Sequence, residues 1–383
     1  MDAIYSGSHK MNGNQACAEG SLAAGCRFLG FYPIQPCFEI VQHFADRCVD
    51  VDGTFIQMED EISALAAVLG ASWAGKKAMT VTSGPGFSLM MEHVGLGVML
   101  ETPCVIIESQ RFGPSEGYPT QAGSGDVMQS RWGSHGDYEI ITLSPNCPQE
   151  MFDLTVRAFN LSERYRLPVV VLADKAVGSM VEAVIIPKAE DLRLKKRKRY
   201  SGPKGKYLPY EYDKDLVPWM VKAGQGYRFH VTGLTHDEKG YPVMNAKCQE
   251  WNVHRIINKV RLFSDDIIDY EEGYTEDAEV LVVCYGSVSR AAVRAVRQVR
   301  KEGIRAGFFR LKTLWPFPEQ RILELARQVR TIIVPEMNYG QAFLEVDRCS
   351  RGKAETIFVH QDFPKVRSGV DIINAIRKAD VKA

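Results

Sequence analysis

The run Ala78-Met79-Thr80-Val81-Thr82-Ser83-Gly84-Pro85-Gly86-Phe87-Ser88 decides how the first half of the chain is read. Its first five residues have the apolar and β-branched make-up of a buried strand, and Ser83-Gly84-Pro85-Gly86 stops that strand in a turn. Proline is favoured in the first turn of a helix, so the chain is expected to leave the turn as a helix. The alanine-rich stretch 59–74 before it reads as a helix, and 104–108 after it as another buried strand. Short strands alternating with helices are the signature of a sheet covered by helices on both faces.

The same alternation extends outward. Residues 16–24 are small and apolar at helical spacing, and 28–31 form a strand closed by Tyr32-Pro33-Ile34-Gln35-Pro36. Residues 148–165 carry the apolar period of an amphipathic helix (Met151, Leu154, Ala158, Leu161), and 168–173 is a buried strand. Past Pro187 the period fades until about residue 265, and the run Lys195-Lys196-Arg197-Lys198-Arg199 reads as a solvated loop. Strands at 280–284, 307–311 and 331–334, with a helix at 287–302, then repeat the first pattern. The expected organisation is an α/β domain at 1–187, an irregular excursion at 188–269 and a second α/β domain at 270–383.

Composition narrows the class. A chain of 383 residues exceeds one ordinary core, because domains run to roughly 100–200 residues. Hydrophobic residues make up 45% and charged residues 25%, with 47 Lys plus Arg against 47 Asp plus Glu, so no global charge argues for nucleic acid or a membrane surface. Residues 1–20 lack the basic-then-apolar order of a leader, and no stretch approaches the ~20 apolar residues that span a bilayer. A cytoplasmic location is the expectation. The nine cysteines are odd in number, scattered and never in a C-x-x-C pair, so they read as reduced thiols and the chain is expected to hold no iron–sulfur cluster.

Open α/β sheets bind ligands beyond the carboxyl ends of their strands, which makes the turn after each strand the place to look. In Tyr32-Pro33-Ile34-Gln35-Pro36 two prolines stiffen the backbone and present Gln35; a rigid connector and a binding loop both fit. Gln57-Met58-Glu59-Asp60-Glu61 sets three carboxylates at a helix start, where the macrodipole alone accounts for Glu59 and Asp60. Glu61 is followed at once by Ile62, Ala64, Leu65 and Ala66, so it can lie where the helix enters the core. A buried glutamate there can hold a raised pKa and share a proton with a heterocycle.

The turn at Gly84 has the strand–turn–helix form of a phosphate cradle but neither G-K-[ST] nor G-x-G-x-x-G, and close packing explains it better than phosphate. Gln110-Arg111-Phe112-Gly113-Pro114 follows strand 104–108 and sets Arg111 at its mouth, where a guanidinium suits the carboxylate of a substrate or of an internal salt bridge. Gly117-Tyr118-Pro119-Thr120-Gln121 and Gly133-Ser134-His135-Gly136-Asp137 are glycine-rich loops able to cover a cleft. His135 and Asp137 do not make a closed metal site, and no metal is expected on this chain.

Taken in order, these segments resemble the α subunit of the 2-oxoacid:ferredoxin oxidoreductases, nearest the 2-oxoglutarate branch. The carriers are Gly13-Asn14-Gln15-Ala16, Tyr32-Pro33-Ile34-x-Pro36, Met58-Glu59-Asp60-Glu61, the segment from Thr82 to Met90, Gln110-Arg111-x-Gly113-Pro114-Ser115, Gly125-Asp126 and Arg131-Trp132-Gly133-x-His135-Gly136-Asp137. Val231-Thr232-Gly233-Leu234-x-His236-Asp237-Glu238 extends the match. The resemblance implies an α/β fold: a pyrimidine-type thiamine-diphosphate domain followed by a transketolase-C-terminal-like α/β domain. It implies CoA-dependent oxidative decarboxylation of a 2-oxoacid to an acyl-CoA and CO₂, with electrons leaving through iron–sulfur clusters to ferredoxin or NAD.

The resemblance also implies shared labour. Thiamine diphosphate is held jointly with a β subunit that carries Mg²⁺, the diphosphate contacts and a [4Fe–4S] cluster, beside γ and ferredoxin-like subunits. Glu61 matches the family's glutamate on the aminopyrimidine, which assists loss of the thiazolium C2 proton, and Arg111 matches its arginine on the 2-oxoacid carboxylate. Tyr32, Pro33, Ile34 and Gly84 fall among the cofactor contacts, and Gln35 and Gln121 beside Arg111 among the substrate contacts. Many relatives have threonine where Gln35 stands, and the 2-oxoglutarate branch tends to have a basic residue at Gln121. The substrate therefore stays open between 2-oxoglutarate and an aromatic or branched-chain 2-oxoacid such as phenylglyoxylate. A catalytically silent scaffold subunit is the non-enzymatic alternative.

Overall fold

The structure, a computed structural model, describes residues 4–361 and 368–381. Six strands of its larger sheet run parallel in the spatial order Ile141–Leu143, Pro168–Asp174, Cys104–Phe112, Lys77–Thr82, Cys26–Phe31 and Thr54–Gln57. Side chains alternate across it. Val105 and Ile107 join the core under helices Gly13–Ala23, Phe38–Cys48 and Pro148–Tyr165, while Cys104 and Ile106 join the core under Glu61–Trp73 and Met91–Met99. A strand buried on both faces has no polar side, which is why Val169-Val170-Val171-Leu172 is apolar without interruption.

The smaller sheet runs Tyr270–Gly273, Ala306–Leu311, Val280–Cys284, Thr331–Glu336, Glu355–His360, with only its first strand antiparallel. Its outer face packs Ala292 and Val296 of helix Val288–Arg300 and Ile372 and Ile376 of helix Val370–Val381. Its inner face contributes Leu281, Val283, Phe309, Ile332 and Val334 to the cluster that also holds Leu65, Val94 and Ile140 beneath the larger sheet. The two sheets therefore share one core layer. Strand Thr313–Trp315 goes further and adds itself antiparallel to Ile141–Leu143, sealing that edge of the larger sheet.

Several elements depart from what periodicity indicates. Strand Cys104–Phe112 continues past residue 108, so Arg111 is the end of a strand and not a turn residue, and Tyr118–Ala122 folds back onto it. An antiparallel ribbon pairs Gly7–Asn12 with Val181–Ile186. Inside the stretch expected to be irregular lies helix Ala246–Arg261, held by buried charge more than by an apolar stripe. Arg255 forks onto Glu101, and Lys259 Nζ donates to the same carboxylate at 2.8 Å. Burial pushes the Glu101 carboxyl up, but the charges of Arg255 and Lys259 outweigh it and hold it down to about 2.

The run 195–199 is likewise not a uniformly solvated loop. Lys195, Lys196 and Arg199 are exposed, whereas Arg197 is buried and grips Glu163 through Nε at 2.9 Å and Nη2 at 2.8 Å. Lys198 pairs with Asp213 and Asp215. All nine cysteines are free, and among the described residues no helix is long and apolar enough to cross a membrane.

Candidate active site

The carboxyl ends of the central parallel strands converge on one corner. Helix Glu61–Trp73 begins there with a capping box: Asp60 Oδ1 accepts from Ser63 N at 2.7 Å and Ser63 Oγ accepts from Asp60 N. That cap fixes Glu61 in the first turn, where it is buried. Next to it runs strand Lys77–Thr82, then a turn and the short helix Pro85–Leu89. Gly86 is pressed against the glutamate so closely that a Cβ there would lie 2.6 Å from Glu61 Cδ. Gly84 adopts φ +41°, a conformation suited to glycine, and places its N–H on Glu108 Oε1 at 2.9 Å.

Burial raises the pKa of Glu61, and the nearby charges of Asp60 and Glu116 push the same way against Arg111. Arg111 is itself buried. It donates through Nη1 to the carbonyl of Gln35 at 2.8 Å and through Nη2 to Glu116 Oε2 at 2.8 Å. Its Nε has no hydrogen-bond partner among the described residues, and neither do the buried Thr82 Oγ1 and Gln121 Oε1. Residue Ala122, next to Gln121, pairs with Arg111 across the hairpin.

The structure thus brings Glu61, Gly84, Arg111 and the backbone of Gln35 together, with Gln121 one strand away. Tyr32 and Gln35 are exposed and Pro33 and Ile34 are half-buried along the same rim, and the Gln35 carbonyl is held by Arg111. His135 and Asp137 are exposed, and no group of three or more His, Cys, Asp or Glu able to hold a metal occurs among the described residues.

Two acidic residues of the corner carried no role in the sequence reading. Glu108 is wholly buried, its Oε1 accepts from Gly84 N, and its Oε2 has no hydrogen-bond partner among the described residues. Burial, then the charge of nearby Asp126, pushes the Glu108 carboxyl well above the usual carboxylate range. Gln110 accepts from Asp126 N at 3.1 Å. The second sheet secures this loop: Asn338 donates to Ser124 O at 2.6 Å, and Met128 N donates to Gln341 Oε1 at 2.9 Å. The signal available in the sequence was a lone glutamate closing the apolar run Val105-Ile106-Ile107, an expensive place for a charge without a partner.

Comparisons with known proteins accord with this geometry. Residues 19–254 match the family model for pyruvate flavodoxin/ferredoxin oxidoreductase, thiamine diphosphate-binding, and residues 278–362 match pyruvate:ferredoxin oxidoreductase core domain II. The fold and the two matches define a class: a thiamine-diphosphate-binding α/β oxidoreductase subunit. The chain is 50% identical over 367 residues to 2-oxoglutarate synthase subunit KorA of Methanothermobacter marburgensis, covering 96% of this chain and 97% of that one. It is 37% identical over 334 residues to ketoisovalerate oxidoreductase subunit VorB of the same organism, covering 86% of each.

Among solved structures, 2-oxoglutarate:ferredoxin oxidoreductase from Magnetococcus marinus, with 2-oxoglutarate, coenzyme A and succinyl-CoA bound, superposes with a TM-score of 0.92 at 32% identity. That alignment covers 98% of this chain but 65% of the other, so the chain spans about two thirds of that solved chain. The chain belongs to the 2-oxoacid:ferredoxin oxidoreductase family as an α-type subunit, which bears out both the resemblance and the fold class read from its motifs.

Proposed function

We propose that this subunit supports CoA-dependent oxidative decarboxylation of 2-oxoglutarate, with Glu61 and Arg111 as its two working side chains. The observation that carries the reading is the corner itself: a buried carboxyl, its pKa raised by burial, pressed on Gly86 beside a guanidinium with a buried Nε left unpaired. Bound thiamine diphosphate would supply the carbon nucleophile and the electron sink that decarboxylation requires. Glu61 would exchange a proton with a ring nitrogen of the aminopyrimidine, a task suited to a carboxyl whose pKa lies above the ordinary range. Tyr32, Pro33, Ile34 and Gly84 would wall the ring, and Arg111 would clamp the 2-oxoacid carboxylate in the geometry a guanidinium favours. Gln35 and Gln121 would face the remainder of the substrate.

The substrate assignment leans on the long, high-identity match to a 2-oxoglutarate synthase subunit; the neutral Gln35 and Gln121, which favoured an aromatic or branched-chain 2-oxoacid, weigh less against it. A β subunit supplying Mg²⁺, the diphosphate contacts and a [4Fe–4S] cluster would complete the site, with γ and ferredoxin-like subunits carrying electrons onward in the cytoplasm. Around the corner Tyr32, Phe55, Ile56, Ile62, Leu89 and Tyr118 are exposed, and strand Thr54–Gln57 is exposed along its length at the end of the sheet, which supports docking of that partner here. We retain 1–187, 188–269 and 270–383 as the working division into domains.

The test is Glu61→Gln in the reconstituted complex. CoA-dependent decarboxylation of 2-oxoglutarate is expected to fall by at least about 10²-fold, the usual contribution of a positioned acid–base group, with assembly unchanged. Wild-type rates would remove Glu61 from the mechanism, and turnover of phenylglyoxylate but not 2-oxoglutarate would reverse the substrate assignment.

A further inference from the structure

Arg111 meets a second carboxylate in this protein, and it belongs to the chain. Strand Cys104–Phe112 ends one residue past Arg111, and the exposed loop 113–117 returns to strand Tyr118–Ala122. The loop turns tightly, with Ser115 at φ +55° and Gly117 at φ +53°, where a Cβ at residue 117 would overlap the carbonyl of Phe112. This geometry carries Glu116 back over the strand end, where its Oε2 accepts from Arg111 Nη2 at 2.8 Å. The Glu116 side chain is 81% exposed, whereas that of Arg111 is 3% exposed.

Arg111 carries five N–H groups; Nη1 donates to the Gln35 carbonyl, Nη2 donates to Glu116, and Nε is unpaired. A 2-oxoacid carboxylate that binds this guanidinium meets the Glu116 carboxylate already on Nη2, and two carboxylates on one guanidinium repel each other.

We propose that Glu116 is a positioning residue that stands in for the substrate carboxylate: it holds the Arg111 fork oriented in the substrate-free protein and yields Nη2 when a 2-oxoacid binds. The inference rests on the reading of Arg111 as the substrate clamp. Glu116 is built to yield, because its own carboxylate is mostly hydrated and regains water when displaced, and its loop is anchored at both ends but covered by nothing among the described residues. The displacement cost enters binding alone. It concerns only the carboxylate that every 2-oxoacid carries.

The experiment uses the reconstituted complex with three α-subunit variants, Glu116→Gln, Glu116→Asp and Arg111→Lys, assayed with 2-oxoglutarate and with the monocarboxylate 2-oxobutyrate. Glu116→Gln is expected to lower KM for both substrates by the same factor, about two- to fivefold from the strength of an exposed ion pair, with any change in kcat equal for the two substrates because it acts through the Glu61 carboxyl that Glu116 faces. Glu116→Asp keeps the charge and should restore KM toward wild type. An unchanged or raised KM in Glu116→Gln, or a fall confined to the dicarboxylate, overturns the proposal; the second result would mark a general repulsion in place of competition at Nη2. Arg111→Lys separates the two readings. If it raises KM while Glu116→Gln does nothing, only the role of Glu116 fails, and if it leaves KM unchanged, the Arg111 assignment fails first.

Discussion

Replacing Gly86 by alanine should cost activity and leave the fold nearly intact. A Cβ at this position would lie 2.6 Å from Glu61 Cδ, and closer still to Glu61 Oε1 and Thr82 Oγ1. Non-bonded carbons pack at about 3.5–4.0 Å, so roughly an ångström of room has to be found. Thr82 is buried and paired in register with Glu108 of the next strand, and a β-branched side chain there has little freedom. The end of Glu61 is the softer neighbour and gives way.

The backbone at residue 86 has no positive φ and lies in helix Pro85–Leu89, so alanine gains about 1 kcal/mol of helix propensity over glycine. Overpacking costs about 1–3 kcal/mol, and the balance is a destabilisation of about 0–2 kcal/mol. Displacing a catalytic group by about an ångström, in contrast, costs on the order of 10²-fold in rate. The assay is kcat for 2-oxoglutarate in the reconstituted complex beside a thermal melt of the α subunit. In a Glu61→Gln background the same glycine replacement should cost no further activity. Near-wild-type kcat in Gly86→Ala, or losses that multiply in the double variant, would refute the idea that Gly86 serves Glu61.

Further substitutions at two buried carboxyls probe opposite signs of pH dependence. Glu101→Gln leaves Arg255 and Lys259 buried without their counter-charge and should destabilise the subunit by about 3–5 kcal/mol in denaturant titration. Because folding lowers the Glu101 pKa from 4.5 to about 2, its stabilisation is complete above the upper value and is lost as pH falls toward the lower, so the variant should show a flatter acid limb. Glu108 is the reverse: the folded state keeps a proton that the unfolded chain releases, so its contribution worsens as pH rises past the ordinary carboxylate value. Glu108→Gln keeps a neutral side chain at every pH and should be at least as stable as wild type at neutral pH, with a melting temperature below wild type at every pH counting against the raised Glu108 pKa. Glu108→Ala strips the acceptor from Gly84 N–H and should cost about 1–3 kcal/mol.

Much of this fold was legible because a doubly covered parallel sheet writes itself into the chain as uninterrupted apolar strands separated by glycine and proline. Pro148–Tyr165 and Val280–Cys284 fall where their patterns end. The position of Glu61 was legible for a similar local reason, an acidic helix start running straight into apolar residues. What stayed hidden depends on partners distant in sequence. Helix Ala246–Arg261 owes its seat to Glu101, more than a hundred residues earlier, and Arg197 owes its burial to Glu163, so a basic run looked like a solvated loop. The Glu108–Asp126 pair joins a strand to a loop that the second sheet holds through Asn338, a convergence with no local period.

Strand Thr313–Trp315, donated by the C-terminal half to the far end of the larger sheet, has a consequence for growth of the assembly. A sheet with two bare margins can add neighbours at both and propagate without limit, as aggregating proteins do. Here one margin is capped from within the chain, and the bare one, Thr54–Gln57, lies beside the corner where Glu61 sits. With a partner docked on that margin as proposed, growth stops at one neighbour beside Glu61, and a subunit whose C-terminal half had not yet folded would expose a second margin along Ile141–Leu143.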